Sequence, residues 1–173
     1  MTIDFEASCL PRHGRSYPIE VGIADGGMAR SWLIRPHDNW EGWGWTAEAE
    51  ALHGLSRERI AQEGQPAATV LAELVHATQG CRMIADSLID QYWLDTLAAA
   101  VGMAAPFAIQ HVATLFDEQG ADEDRVAAAV AFADSQATTR HRAAGDALWL
   151  AAVVGHIRGV ARNMRQPILL AAQ

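Results

Sequence analysis

A few acidic residues and one histidine have types and spacings that could serve one chemical task. Asp4 and Glu6 lie two positions apart in Ile3-Asp4-Phe5-Glu6. In an extended strand, side chains at i and i+2 project from the same face, so both carboxylates can converge on one point. Hard divalent cations take such oxygen ligands. A strand with one watery face gives the same alternation, so the pair alone decides nothing. Asp86 and Asp90 bracket the start of a helical apolar pattern, where an aspartate can cap the helix or serve as a ligand. His141 and Asp146 would sit about 140° apart around an ideal helix, so they share a site only if His141 lies just before the regular helix. Gly145 leaves space beside Asp146. The plain alternative is a surface histidine near a helix start.

Charge directs attention to the same residues. The chain has 173 residues with 13 basic side chains, all arginine, against 21 acids, a net charge of -8. That argues against a simple basic DNA-coating protein. An acidic cluster loaded with divalent cations nevertheless presents positive charge to phosphate, so nucleic acid stays open as a substrate. Half of the residues are apolar and a fifth are charged, which is a globular composition. The length suits one domain, residues 1–173, rather than two. No run reaches membrane-spanning length and no secretory leader is legible, so a cytoplasmic protein with no membrane partner is expected. Cys9 and Cys81 fit no zinc or disulfide spacing.

The elements that must position these groups follow from periodicity. Residues 3–6 and 17–24 read as strands, and Asp25-Gly26-Gly27 predicts a tight hairpin into a third strand over 29–35. Residues 37–46 read as a Trp- and Gly-rich loop, followed by short helices over 47–52 and 57–62. Pro66 can open a helix to Thr78 with Val70, Leu71, Leu74 and Val75 on its apolar stripe. A strand over 81–85 leads into a helix over 88–101. Residues 109–115 favour another strand, turning at Asp117-Glu118-Gln119-Gly120. Helices over 122–133 and 143–163 complete the chain, the second capped by Thr138 or Thr139. Three strands followed by alternating helices and strands predict an α/β domain with a mixed central sheet and flanking helices.

Asp4-Phe5-Glu6-Ala7-Ser8, Tyr17-Pro18-Ile19-Glu20-Val21-Gly22, His53-Gly54-Leu55, Asp90-Gln91-Tyr92-Trp93-Leu94 and His141-Arg142-Ala143-Ala144-Gly145-Asp146 occur in this order along most of the chain. The series resembles the DEDDh-type 3′-5′ exonucleases, whose relatives include a polymerase proofreading subunit, ribonuclease T and oligoribonuclease. The resemblance implies a ribonuclease-H-like fold, with the first three strands antiparallel and later strands parallel. It assigns Asp4, Glu6, Asp90 and Asp146 as metal ligands and His141 as the catalytic histidine. It also places Ala7, Ser8, His53 and Leu55 near the terminal nucleotide. Asp86 falls where many relatives have Asn and is not nominated as a principal ligand. Ala7 stands where relatives often carry Thr, and Cys9 where they often carry Gly.

What the resemblance implies chemically is hydrolysis assisted by two Mg²⁺ or Mn²⁺ ions, roughly 3.5 to 4 Å apart, acting on single-stranded 3′ ends or short oligonucleotides and releasing nucleoside 5′-monophosphates. Asp4 would bridge both ions, and His141 would accept a proton from the attacking water. That step needs a neutral imidazole, so activity should fall below a pH of about 6.5, the ordinary histidine value. Several relatives are dimers, so a homodimer is possible. Trp40, Trp43 and Trp45 could stack on bases or fold back as a local apolar cluster; at least two of them are expected to fold back. Arg158, Arg162 and Arg165 fall at helical spacing and read as a solvated face. A non-catalytic interaction module, or a phosphodiesterase for a small nucleotide, are the alternatives.

Overall fold

The computed structural model describes residues 1–136, 138–159 and 168–171. The chain runs through β1 (Thr2–Ala7), β2 (Pro18–Asp25), β3 (Met28–Leu33), α1 (Ala47–His53), α2 (Arg57–Glu63) and α3 (Ala67–Thr78). It continues through β4 (Met83–Ala85), α4 (Ile89–Ala100), β5 (Ile109–His111), α5 (Val112–Glu118), α6 (Glu123–Asp134), α7 (Ala143–Ile157) and β6 (Ile168–Ala171). One sheet takes the order β5-β4-β1-β2-β3-β6. β1, β2 and β3 are antiparallel, while β4 runs parallel to β1, β5 to β4 and β6 to β3. Gly26 and Gly27, at φ 54° and 90°, supply the two left-handed positions of the tight turn between β2 and β3.

Strand alternation sorts the sheet into two unlike faces. Ile3, Phe5, Val21 and Trp32 point to one side and pack with Leu71 and Leu74 of α3 and Leu94 and Leu97 of α4. The other side is lined by small residues where α7 crosses, so that Ala24 and Ala29 meet Ala144, Ala147 and Leu148. At Gly22 a β-carbon would lie 2.2 Å from the Ala143 carbonyl carbon, which explains why no side chain stands there. The Thr2 hydroxyl donates to the Ala147 carbonyl at 2.6 Å and ties β1 to the same helix. Asp4 and Glu6 share the α7 side of β1. α5 and α6 complete the layer around α7, with Leu115, Ala129 and Val153 in one buried cluster.

Several expectations need correction. Residues 109–115 are not one strand: only Ile109–His111 pair with β4, and α5 begins at Val112, capped by His111 Nδ1, which accepts the Ala113 N–H at 3.2 Å. Neither Thr138 nor Thr139 caps α7. Arg142 holds the cap position, and Glu20 Oε2 accepts the Ala143 N–H at 3.1 Å. α7 stops at Ile157 because Gly159 turns the chain at φ 67°. Arg162 and Arg165 of the expected basic face lie outside the described residues. Val75 is exposed rather than on the buried stripe of α3. β6 was not expected, although Ile168-Leu169-Leu170 after Pro167 carries the apolar signal of an edge strand. Among the described residues, no helix is long and apolar enough to cross a membrane.

Candidate metal centre

The sheet, α4 and α7 bring five carboxylates together. Asp4, Glu6 and Asp146 offer oxygens within 4.8 Å of one another, and so do Asp4, Asp86 and Asp90. Asp4 belongs to both triads. Its place follows from β1, which alternates buried Ile3 and Phe5 with half-buried Asp4 and Glu6. Asp90 comes from the first turn of α4 and Asp146 from the first turn of α7. Neither Asp86 nor Asp90 caps α4: Ser87 Oγ accepts the Ile89 N–H at 3.3 Å, which leaves both aspartates available. Asp86, set aside in the sequence reading, therefore joins the cluster.

Crowded carboxylates in a buried place resist ionisation. Burial, then the charges of Asp90, Glu6, Asp146 and Asp86, pushes Asp4 well above the usual carboxylate range. Glu6 is pushed up to about 8 by burial, then by Asp146 and Glu20, against the opposing pull of Arg142. Asp90 is likewise pushed up to about 8, by burial and then by Asp86. Asp90 Oδ1 accepts the Phe5 N–H at 3.1 Å, while Oδ2 is buried without a hydrogen-bond partner among the described residues. An unpartnered buried oxygen amid other carboxylates fits a hard divalent cation, which satisfies the oxygen and offsets the charge.

His141 lies just before α7, as sharing a site requires, and it is exposed with φ 61°. Its N–H donates to Asp146 Oδ2 at 2.8 Å. Arg140 Nε pairs with the other oxygen, Asp146 Oδ1. The structure thus brings the histidine's backbone to the cluster through Asp146. Glu20, which the sequence reading passed over inside an apolar run, is 1% exposed and holds Arg142 through two hydrogen bonds.

Beside the cluster opens a cavity of about 420 Å³ whose lining includes Glu6, Ala7, Thr46, His53 and Trp93, with the exposed Leu10 and Leu52. Of the four expected substrate contacts, Ala7 and His53 line this cavity. Ser8 and Leu55 do not: both are fully buried, and Ser8 Oγ accepts the Tyr17 N–H at 3.1 Å. His53 Nδ1 accepts the Leu55 N–H at 3.0 Å, so the neutral ring carries its proton on Nε2, which is buried and unpartnered among the described residues. Burial holds the His53 pKa below its ordinary value and favours that neutral donor. The tryptophan loop folds back on the core. Trp40 stacks on Tyr17 with centroids 5.3 Å apart, and Trp43 and Trp45 are partly buried against the same cluster.

No protein-family model and no curated protein matches the chain. Solved structures do match. One is a 3′-exonuclease described in 3′-end-specific recognition of a histone mRNA stem-loop, with TM-score 0.67, 16% identity, and coverage of 92% of this chain and 63% of that one. Another is exonuclease I from Methylocaldum szegediense, with TM-score 0.60, 14% identity, and coverage of 94% and 41%. A third is the zinc-ion-bound form of E. coli exonuclease I with single-stranded DNA, with TM-score 0.61, 11% identity, and coverage of 94% and 41%. The chain spans less than two thirds of the length of each neighbour. What it shares with them is a fold, the ribonuclease-H-like mixed sheet that the sequence leads one to expect.

Proposed function

We propose that the chain is a divalent-cation-dependent 3′-5′ exonuclease that cleaves phosphodiester bonds at single-stranded 3′ ends or in short oligonucleotides and releases nucleoside 5′-monophosphates. The observation that carries this reading is the pair of carboxylate triads sharing Asp4, set beside a cavity that Glu6 also lines. Likeness in fold to 3′-exonucleases, one with single-stranded DNA and a zinc ion, supports it. Asp4, Glu6 and Asp146 would hold one Mg²⁺ or Mn²⁺ ion, and Asp4, Asp86 and Asp90 the other. When bound, such ions supply Lewis-acid polarisation of the phosphate and offset the charge that develops on it.

The chain's own groups do the rest. His141 would take a proton of the attacking water on a ring nitrogen as the water oxygen bonds to phosphorus. The bond from phosphorus to the upstream 3′ oxygen breaks, that oxygen taking a proton from solvent to become a hydroxyl. Ala7 and His53, with Leu10 and Leu52, line the cavity that would take the terminal nucleotide. The same reading includes a cytoplasmic location and self-association, which sedimentation would measure.

The test is a panel of 3′-labelled short RNA and DNA strands with Mn²⁺. Wild type should release labelled mononucleotide, Asp4→Ala should release none, and His141→Ala should be slower by roughly 10²- to 10⁴-fold. No release by the wild type would turn the reading towards a non-catalytic module that keeps the fold.

A further inference from the structure

We infer that Glu20 and Arg142 are a positioning pair that sets the backbone of His141 against the carboxylate cluster, and that Glu20 is thereby needed for the rate of the proposed hydrolysis without touching substrate. The catalytic part of this inference rests on the reading above; the structural part does not.

Glu20 is on β2, directly across from Glu6 on β1, and is 1% exposed. A carboxylate so buried must have its lone pairs filled. Oε1 accepts from Ser31 Oγ at 3.0 Å and Arg142 Nη2 at 2.8 Å. Oε2 accepts from Arg142 Nε at 2.9 Å and from the Ala143 N–H at 3.1 Å. The guanidinium fork and the first N–H of α7 are thus held by one group that the sheet immobilises.

An ion pair of this kind is weak evidence of stabilisation, because apolar packing does as well. Capping alone needs no such residue either, since a Ser, Thr or Asp at the cap satisfies the helix start locally. A local cap cannot fix where the helix begins relative to β1, whereas an acceptor on a neighbouring strand can. The residue so placed is the one before Arg142. His141 adopts a left-handed conformation uncommon for a residue with a side chain, and its N–H reaches Asp146 Oδ2. On the helix side, a β-carbon at Gly145 would stand 1.7 Å from the Thr139 carbonyl oxygen, so the incoming chain lies directly on the first turn of α7. His141 is therefore clamped between Glu20, through Arg142, and Asp146.

The experiment compares wild type with Glu20→Gln, which keeps the shape and loses the charge, and Arg142→Lys, which keeps the charge and loses the fork. Hydrogen exchange is read in the metal-free protein. The His141 and Ala143 amides should lose protection in both variants while the Ile3 and Val21 amides keep theirs. With saturating Mn²⁺, kcat should fall roughly ten- to a hundredfold with KM for a short oligonucleotide held within about twofold. Adding Glu20→Gln to His141→Ala should cost nothing more. Unchanged protection at His141, or a loss of kcat that multiplies with that of His141→Ala, overturns the positioning role. A wild type without nuclease activity, with the exchange result as expected, removes the proposed function and leaves the clamp.

Discussion

Asp90 shows at the scale of one residue what the cluster requires. One of its oxygens is held by the Phe5 N–H and the other has no partner among the described residues. With Asp90 and Glu6 each pushed up to about 8, both bind protons near neutral pH in the metal-free protein. A cation must displace those protons, so Mn²⁺ affinity should rise with pH through the range up to about 8 in which Glu6 and Asp90 lose them. Titration calorimetry in buffers of different ionisation heat should find proton release on Mn²⁺ binding at pH 6.5 that declines as pH rises past about 8. Asp86→Asn tests the fifth carboxylate: Mn²⁺ affinity should drop by at least the roughly ten- to hundredfold that loss of an outer partner costs. An unchanged affinity would return Asp86 to the solvent. That Asp4 and Glu6 share one face was legible in the sequence, because a period of two needs only local information; their part as ligands came from the resemblance. Asp86 and Glu20 were not, because one looks like a helix cap and the other like a break in an apolar strand, and only tertiary partners distinguish them.

At the scale of elements, the site depends on how closely α7 lies on the sheet. Gly22, Ala24 and Ala29 make that approach possible. Gly22→Ala would set a methyl against the Ala143 backbone, which cannot give as a flexible side chain can. Overpacking of this type costs about 1 to 3 kcal/mol, and each kcal/mol lowers Tm by about 2 to 4 °C in a chain of this size. Thermal unfolding should show that drop, and Mn²⁺ affinity should fall with it because Asp146 rides on the displaced helix. The first three strands, their hairpin and the helices α3, α4 and α6 could be read from periodicity and turn residues. β5 and α5 could not, since Ile109 to Leu115 is apolar at both periods and its division is set by pairing with the three residues of β4. The cap of α7 was misread for a related reason: the acceptor of its first N–H comes from β2, far away in sequence.

For the whole molecule, the same carboxylates are a stability liability until they are neutralised. An acid whose pKa is raised on folding binds protons more readily in the folded state, so its contribution to stability declines as pH rises. Here the decline starts near the ordinary carboxylate value of about 4 and runs to the folded value of about 8 for Glu6 and Asp90. The metal-free protein should therefore lose Tm across that range, and Glu6→Gln with Asp90→Asn should flatten the slope. Mn²⁺ at a hundred times its Kd at pH 8.5 should add about 2.7 kcal/mol there, and the same concentration should raise Tm less at pH 6, where the affinity is lower. A Tm indifferent to both pH and Mn²⁺ would contradict the cluster as a cation site. The architecture as a whole was legible from the order of elements, because three strands followed by alternating helices and strands admit few sheets. The outer edge at β6 escaped notice because four residues carry little periodic signal.

Asp4 is common to both triads, and the arrangement therefore has a single point of failure. A change at Glu6 or Asp86 impairs one triad and leaves the other formally complete, but position 4 has no understudy. In a library of random variants sorted for residual activity, partial survivors should accumulate at the peripheral carboxylates, while the codon for Asp4 stays untouched.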